Sequence, residues 1–352
     1  MITIDPLDTI DIRDLTIGEI TNYLIKIGEP KFRAAQIHQW LWKHGAISFD
    51  EMTNLPHTLR EKLSNEFSIL NIHADIIQKS VDGTVKFRYV LKDDHKIESV
   101  LIPVVGENRF TVCVSSQVGC SLSCSFCATG QMKRKRNLSA TEIYEQVYKV
   151  NQYCLNEYQR PLTNIVYMGM GEPLLTYKNV KRSIDLINDE SGLGMSTKRI
   201  TISTAGIAKM IRKIADDGLK CKLALSLHAA MDHKRSQIMP INDNDSIDEL
   251  IESLKYYYQI TKNRITFEYI LFDQFNDYQE DADALAQLCK HFPVTVNILE
   301  YNPVMGVDLV KSSTNRFENF VKMMAHHGVN VTVRRSRGKD IDAACGQLAN
   351  KE

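Results

Sequence analysis

Cys120-Ser-Leu-Ser-Cys124-Ser-Phe-Cys127 places three thiols within eight positions, directly after a β-branched run that ends near Val114. Thiolates are soft donors that suit iron–sulfur clusters or zinc. Three of them indicate a [4Fe–4S] cluster, because a cubane held by three cysteines keeps one iron open to an outside ligand. A structural zinc would need a fourth ligand, and no second cysteine pair or His-x3-His follows at finger spacing. The stretch therefore predicts a [4Fe–4S] site on Cys120, Cys124 and Cys127, with zinc and a chance grouping of core cysteines as the alternatives.

Around this loop, from Arg109 onward, short β-branched runs alternate with amphipathic helical stretches, which is typical of βα units on a parallel sheet. The predicted strands are Phe110 to Val114, Asn164 to Met168, Arg199 to Ser203, Lys222 to Leu227, Ile265 to Leu271, Thr295 to Glu300 and Val329 to Val333. The predicted helices are Thr141 to Leu155, Val180 to Asn188, Ile207 to Asp216, Ile247 to Thr261, Tyr278 to His291 and Asn315 to His326. About six such units favour a barrel or partial barrel over a doubly wound sheet.

Polar clusters stand at the carboxyl ends of these strands, where functional residues of such folds gather. They are Gly169-Met-Gly-Glu-Pro173, Ser203-Thr-Ala-Gly206, Ser226-Leu-His228 and Asn302-Pro303. We expect these clusters to lie together with the cysteine loop, Cys120 to Cys127, around one opening at the carboxyl edge of the sheet, which we call the mouth. Taken alone, His228 also fits a hydrogen-bonded core histidine at the end of a strand.

The first 95 residues have a different character. Helical patterns at Ile17 to Lys26 and Ala34 to Trp42 predict a small helical accessory domain, and alternating segments between Ile72 and Pro103 predict a hairpin that leads into the main domain. We therefore predict an accessory domain over residues 1–95 and the main α/β domain over residues 96–352.

The composition describes an ordinary globular protein. The chain has 352 residues, of which 43% are hydrophobic and 24% charged, and no apolar run reaches the length of about 18 residues that a membrane helix needs. Its eight cysteines, without a signal segment, fit a cytoplasmic metal or redox site better than a disulfide framework. Lysine plus arginine equals aspartate plus glutamate at 43 each. Any site for a polyanion must therefore be local, and the two candidates are Lys133 to Arg136 and Arg334 to Lys339.

Cys-x3-Cys-x2-Cys after the first strand of a βα repeat resembles the signature of radical S-adenosylmethionine enzymes. The resemblance implies a partial (β/α)6 barrel, a [4Fe–4S] cluster and bound S-adenosylmethionine, whose methionine part chelates the open iron. The residues that the resemblance places against the cofactor are Gly171, Glu172, Ser203, Ser226, Leu227, His228 and Asn302.

Two further motifs, Cys113-Val-Ser-Ser-Gln-Val-Gly-Cys120 and Asp340-Ile-Asp-Ala-Ala-Cys345-Gly-Gln-Leu, resemble the RlmN/Cfr group of RNA adenine methyltransferases along almost the whole chain. The resemblance implies that Cys345 accepts a methyl group from one S-adenosylmethionine and that a radical from a second one activates it. It also implies that Cys113 resolves the resulting protein–RNA link through a transient disulfide, and that Glu98 is the proton acceptor. By themselves, Cys113 would be a core cysteine and Glu98 a solvated edge residue.

Within that group, Gly169 to Pro173 and Arg334 to Gly338 resemble the members that methylate carbon 2 of adenosine rather than carbon 8. The resemblance implies 23S ribosomal RNA and transfer RNA as substrates, with both basic segments and the accessory domain as RNA contacts. The need for single electrons implies a small flavin or iron–sulfur carrier as reductant, such as a flavodoxin-type carrier, and we expect a monomer. Methylation of carbon 8 and a non-catalytic iron–sulfur RNA-binding protein remain the alternatives.

Overall fold

The computed structural model describes residues 9–351, and its N-terminal part is helical as predicted. Helix α1 is fixed at its start by a capping box, in which Thr16 and Glu19 each bond the other's backbone N–H. A two-residue parallel pair, β1 with β2, closes this part of the chain. The elements are β1 (Ile10–Asp11), α1 (Ile17–Lys26), α2 (Arg33–Trp42), α3 (His57–Glu66) and β2 (Phe67–Ser68).

Three antiparallel strands follow: β3 (His73–Lys79), β4 (Val85–Val90) and β5 (Lys96–Val104). The sequence predicted a hairpin here, and the structure extends it to three strands that continue the main sheet, since β5 pairs with the first strand of the βα series. The predicted boundary between residues 95 and 96 falls in the turn between β4 and β5.

The predicted series of βα units is present. Seven parallel strands and the three antiparallel ones form one ten-stranded sheet in the order β14-β13-β12-β11-β10-β9-β6-β5-β4-β3. The seven parallel strands are β6 (Arg109–Cys113), β9 (Asn164–Tyr167), β10 (Ile200–Thr204), β11 (Lys222–Ser226), β12 (Ile265–Leu271), β13 (Val294–Glu300) and β14 (Val331–Arg334). A separate antiparallel pair is formed by β7 (Gln117–Val118) and β8 (Arg136–Asn137). The helices are α4 (Ala128–Gln131), α5 (Ala140–Tyr158), α6 (Tyr177–Asn188), α7 (Ala208–Asp216), α8 (Asp232–Ile238), α9 (Ile247–Thr261), α10 (Gln279–Leu288) and α11 (Thr314–His326).

The alternation along the strands decides which face carries the core. In β11 and β12, Leu225 and Phe267 are partners in register, both are fully buried, and both belong to the main hydrophobic cluster. Helix α7 contributes Ile211 and Ile214 to the same cluster from one face. Because side chains alternate along a strand, the intervening residues point to the opposite, inner face of the sheet.

The N-terminal part docks on α5 and α6. Arg13, which is 2% exposed, donates to Glu145 on α5 at 2.9 Å, and Tyr144 on α5 donates to the backbone carbonyl of Trp42. Arg182 on α6 donates to the carbonyl of Arg13 at 2.9 Å. These contacts tie the helical part to the first two turns of two helices that follow strands of the sheet. Within residues 9–351, no helix has the length and apolar character needed to cross a membrane.

Candidate active site

The cysteine loop lies between β6 and α5, at the carboxyl end of the first parallel strand. The pair β7–β8 closes its base, and α4 begins immediately after Cys127. Burial raises the pKa of the Cys120 thiol to about 11, and burial followed by the charges of Cys127 and Cys120 raises the pKa of Cys124. The three predicted ligands therefore act on one another electrostatically and share one site.

The donor set fits a [4Fe–4S] cluster. In the described part of the chain, no three His, Cys, Asp or Glu side chains converge as they would around a single metal ion. A cubane does not require such convergence, because each cysteine binds a different iron. Cys124 and Cys127 also pack against an apolar cluster that contains Phe126, Phe272 and Tyr301, which shields that side of the loop from water.

Gly171 and Glu172 follow β9 and face the loop. Gly171 has φ +93°, and a Cβ there would lie 2.5 Å from the Cβ of Gln117, so only glycine fits. The Glu172 carboxylate accepts the N–H of Leu174 at 3.0 Å and of Ala205 at 2.8 Å. Burial raises the pKa of Glu172 to about 6 in spite of these bonds. Within residues 9–351, no lysine, arginine or histidine pairs with Glu172, so this buried carboxylate suits an ammonium group as its partner.

Ser203 and Ser226 come together at the ends of β10 and β11, with their hydroxyl oxygens 3.3 Å apart. Leu227 is fully buried in the core, and its N–H donates to the Glu268 carbonyl, so it supports the site from behind. His228 is 5% exposed at φ 58°, and its Nδ1 accepts the N–H of Ile270. Burial lowers the pKa of His228 to about 3, so its imidazole is neutral and protonated on Nε2.

Arg235 holds these strand ends in place and was missed in the sequence, where it lies in the polar run Asp232-His-Lys-Arg235 and is easily taken for a surface residue. Its side chain is fully buried. Nε donates to the Leu227 carbonyl at 3.1 Å, and Nη2 donates to the carbonyls of Ala205 and Ser226. Burial lowers the pKa of this guanidinium to about 10, which still leaves it charged at neutral pH.

Cys345 lies at the mouth, on the C-terminal tail, which we define as residues 337–351. Asn302 at the end of β13 donates to the Cys345 carbonyl at 3.2 Å, and the N–H of Ala128 donates to the Gly346 carbonyl at 2.7 Å. The Cys345 side chain is exposed to solvent, yet the surrounding protein desolvates its thiol and raises its pKa to about 12.

The charges of Cys127, Cys113 and Glu268 also act on the Cys345 thiol. Cys113 ends β6 and is buried, and burial raises its pKa to about 12 as well. The structure thus brings both outlying cysteines, which lie 232 positions apart in the chain, to the cysteine loop. At neutral pH both thiols are protonated, so either one needs a proton acceptor before it can act as a nucleophile.

Glu98 is buried on β5, at 1% exposure, rather than solvated on a strand edge. Its Oε2 accepts the N–H groups of Ala349 and Asn350 at 2.9 and 3.1 Å, and its Oε1 lies 3.5 Å from the Nζ of Lys86. The carboxylate therefore binds the C-terminal tail directly.

Several further residues shape the mouth. Ser115 donates to the Glu98 carbonyl at 2.5 Å and accepts the N–H of Met170, and Gln117 accepts the N–H of Glu172. Both lie inside the Cys113 to Cys120 motif, which was a usable signal. Nothing in the sequence marked Glu268 on β12 as a residue of the site, because a single charged residue in an apolar strand belongs to no local motif.

The two basic segments differ in how their charges are used. Arg136 forms paired contacts with Asp93 and Glu142 at 2.5 to 2.9 Å, whereas Lys133, Arg134 and Lys135 are exposed. In the later segment, the side chains of Arg335 and Lys339 both bind Glu300, at 2.7 and 2.9 Å. Arg337 donates to the carbonyls of Pro103 and Asp82. Much of the later segment therefore anchors the tail.

Two family models match the chain. Residues 10–69 match the ribosomal RNA large subunit methyltransferase N-terminal domain, and residues 114–299 match the radical SAM superfamily. The second match begins directly after β6, ends within β13 and contains all three loop cysteines. Membership of that superfamily implies S-adenosylmethionine and a [4Fe–4S] cluster, in agreement with the donor set.

Related proteins match along nearly the whole chain. A probable dual-specificity RNA methyltransferase RlmN of Cytophaga hutchinsonii is 51% identical over 97% of this chain and 93% of its own length. The dual-specificity RNA methyltransferase RlmN 2 of Myxococcus xanthus is 42% identical over 98% and 92%. The crystal structure of a radical SAM methyltransferase from Sphaerobacter thermophilus superposes with a TM-score of 0.91, at 39% identity, over 97% of this chain and all of that one. The predicted α/β partial barrel with an N-terminal domain is thereby confirmed, and the chain belongs to the RlmN family of radical S-adenosylmethionine RNA methyltransferases.

Proposed function

We propose that this chain methylates carbon 2 of adenosine in the peptidyl-transferase centre of 23S ribosomal RNA and beside the anticodon of transfer RNA. Carbon 2 lies between two ring nitrogens and is electron-poor, so it does not attack a sulfonium methyl group as a nucleophile. A radical route avoids that step. When bound, the [4Fe–4S] cluster and S-adenosylmethionine supply a 5′-deoxyadenosyl radical, and two S-adenosylmethionine molecules are used per turnover.

The observation that carries the proposal is the placement of Cys345. Its carbonyl accepts a hydrogen bond from the Asn302 side chain, and its thiol interacts electrostatically with Cys127 and Cys113. The sulfur that would carry the methyl group is therefore near both a proposed cluster ligand and the proposed resolving thiol. The relatives named above carry out dual-specificity RNA methylation according to their names, which favours two RNA substrates.

The three catalytic side chains would divide the work as follows. The Cys345 sulfur would carry the one-carbon unit, whose methyl group gives up one hydrogen atom to the 5′-deoxyadenosyl radical and then bonds to carbon 2. Glu98 would accept the proton that carbon 2 loses, and the unpaired electron that remains would return to the cluster. The Cys113 thiol then gives up its proton as its sulfur attacks the Cys345 sulfur. The bond between that sulfur and the carbon breaks with its electron pair on the carbon, which takes up a proton and becomes the product methyl group. A Cys113–Cys345 disulfide remains and must be reduced before the next turnover. Gly171, Glu172, Ser203, Ser226, Leu227, His228 and Asn302 would hold and orient the S-adenosylmethionine.

The partners follow from the surface. Lys133, Arg134 and Lys135 are exposed beside the cysteine loop and would contact RNA phosphates, with the N-terminal domain of residues 1–95 as a second RNA contact. Cys124 lines a solvent-open cavity of about 580 Å³, which is where a flavodoxin-type reductant would approach. We propose that the protein acts as a monomer in the cytoplasm.

Anaerobic reconstitution with iron, sulfide and dithionite tests the proposal. With S-adenosylmethionine and unmodified 23S or transfer RNA, we expect 5′-deoxyadenosine and 2-methyladenosine by mass spectrometry of the digested nucleosides. Finding 8-methyladenosine would show that the methylated position is carbon 8 and not carbon 2. An intact cluster without any 5′-deoxyadenosine would favour a non-catalytic iron–sulfur protein.

A further inference from the structure

The carboxylate of Glu98 has one oxygen that the protein leaves without a hydrogen bond. Its Oε2 is occupied, since it accepts the N–H groups of Ala349 and Asn350. Among residues 9–351, no hydrogen-bond donor reaches Oε1, although this oxygen is buried. A buried acceptor without a donor costs free energy unless another group meets it. Oε1 is therefore the oxygen of Glu98 that can take up a proton without breaking a bond to the tail.

Lys86 on β4 supplies the positive charge beside this oxygen. Its Nζ lies 3.5 Å from Oε1 of Glu98, and the two side chains are buried, with exposed fractions of 4% and 1%. In the part of the chain that the structure describes, the Lys86 ammonium has no other hydrogen bond or ion pair, and no other cation pairs with Glu98. Each group is therefore the only oppositely charged partner of the other, in an ion pair rather than a hydrogen bond.

The strand register places this pair on the face of the sheet that carries Cys113. Lys86 is the direct partner of Val100 on β5, and Val100 is the direct partner of Cys113 on β6. Partners in register place their side chains on the same face, and Glu98 shares that face because it lies two positions from Val100. Phe87, the next residue after Lys86, points the other way and packs on α5. Lys86, Glu98 and the proposed resolving thiol therefore lie on the face that meets the tail.

We propose that Lys86 is a positioning residue, which holds the Glu98 carboxylate ionised with Oε1 as the atom that accepts the proton of the adenine ring. In this step the C–H bond of the ring breaks, its electron pair stays on the ring, and the proton forms an O–H bond with Oε1. Only an ionised carboxylate can accept that proton, and an ammonium in contact favours the ionised form of a buried carboxyl group. The role of Lys86 rests on the proposed role of Glu98, but not on which carbon of adenine is methylated.

A deuterium isotope effect tests this role, because it reports on the proton transfer that Lys86 serves. The substrate is RNA with deuterium on the methylated carbon of the target adenosine, whichever carbon the nucleoside digest identifies. We expect Lys86→Met to slow the formation of methylated RNA by about tenfold or more, since a positioned base contributes at least that factor. The isotope effect should rise at the same time, because proton transfer becomes the slowest step. Lys86→Arg, which restores the cation, should recover most of the rate and the isotope effect of the unaltered chain.

The matched control is Lys96→Met. Lys96 lies two positions from Glu98 on β5, but its Nζ pairs with Asp75 at 3.5 Å. This variant should keep the rate and the isotope effect of the unaltered chain. A folded Lys86→Met variant with an undiminished rate would overturn the role of Lys86. A slower reaction with an unchanged isotope effect would overturn it too, because it would show that Lys86 only supports the fold.

Thermal unfolding tests the ion pair without turnover. Lys86→Met leaves a buried carboxylate without its cation, so the melting temperature should fall. The double variant Lys86→Met/Glu98→Gln lacks both charges and should melt above Lys86→Met, since changes at two paired groups are not additive. A double variant that melts at or below Lys86→Met would overturn the pairing, whether or not the chain methylates RNA. Lys86→Gln, which has a polar head without the charge, replaces Lys86→Met in both assays if that variant does not fold. An intact pairing in a chain that methylates no RNA would count against the proposed function instead.

Discussion

The carboxylate of Glu98 accepts the backbone N–H of Ala349 at 2.9 Å, across 251 positions of the chain. This bond joins β5 to the tail four residues after Cys345. The residue proposed as proton acceptor is thus also an anchor of the segment that carries the proposed methyl carrier.

The two roles of Glu98 can be separated by substitution. Glu98→Gln keeps a carbonyl oxygen that can accept the N–H groups of Ala349 and Asn350, whereas Glu98→Ala removes every acceptor. We therefore expect amide hydrogen exchange at residues 349 and 350 to stay slow in the glutamine variant and to become about tenfold faster or more in the alanine variant. Equal exchange in the two variants would show that the carboxylate does not hold the tail.

Cys113→Ala should accumulate a covalent protein–RNA adduct, because the Cys345 sulfur would link to carbon 2 with no thiol to release it. Cys345→Ala should form none. Denaturing gel electrophoresis with labelled RNA under turnover conditions measures both. Cys289→Ala, which changes a half-buried cysteine after α10, is the control and should release methylated RNA as the unaltered chain does. Free methylated RNA from Cys113→Ala would exclude the resolving role of that thiol.

The pKa of Glu172, which burial raises to about 6, sets a pH dependence for cofactor binding. As the pH falls through about 6, this carboxyl becomes protonated and loses its attraction for an ammonium group. We expect the affinity for S-adenosylhomocysteine to be constant above pH 7 and to fall below about pH 6. Glu172→Gln should bind more weakly and lack this step. The folded state should gain stability from this group over the same fall in pH, because the neutral form is the better tolerated one when buried.

Lys135 and Arg136 are neighbours with different surroundings, and they provide a matched pair. Lys135→Gln removes an exposed charge, so it should reduce the slope of log affinity for RNA against log salt by about 1 without changing the melting temperature. Arg136→Gln breaks the contacts with Asp93 and Glu142 and should lower the free energy of unfolding by about 1–2 kcal/mol. Filter binding at several salt concentrations and urea unfolding measure the two effects. An unchanged salt slope in Lys135→Gln would remove that residue from the RNA interface.

Much of the fold could be predicted because its signals are local. The run Ile265–Leu271 is a strand with the predicted bounds, and the run from residue 295 to 300 gained only Val294. Hydrophobic alternation and strand-end polar clusters lie within a few residues of each other, so the sequence determined the βα series, the cysteine loop and the mouth towards which the loops point.

The tertiary structure decided what those local patterns could not. Glu98 and Glu268 are single charges in apolar strands, and the period of a strand says which face a side chain occupies but not what meets it there. Arg235 lies in a polar run that fits a solvated helix, yet its guanidinium is buried because it donates hydrogen bonds to three carbonyls at strand ends. The antiparallel strands β3 to β5 are part of the main sheet because β5 pairs with the edge of β6. Each of these outcomes depends on partners far away in the chain, which become neighbours only when the strands pair and the tail closes over them.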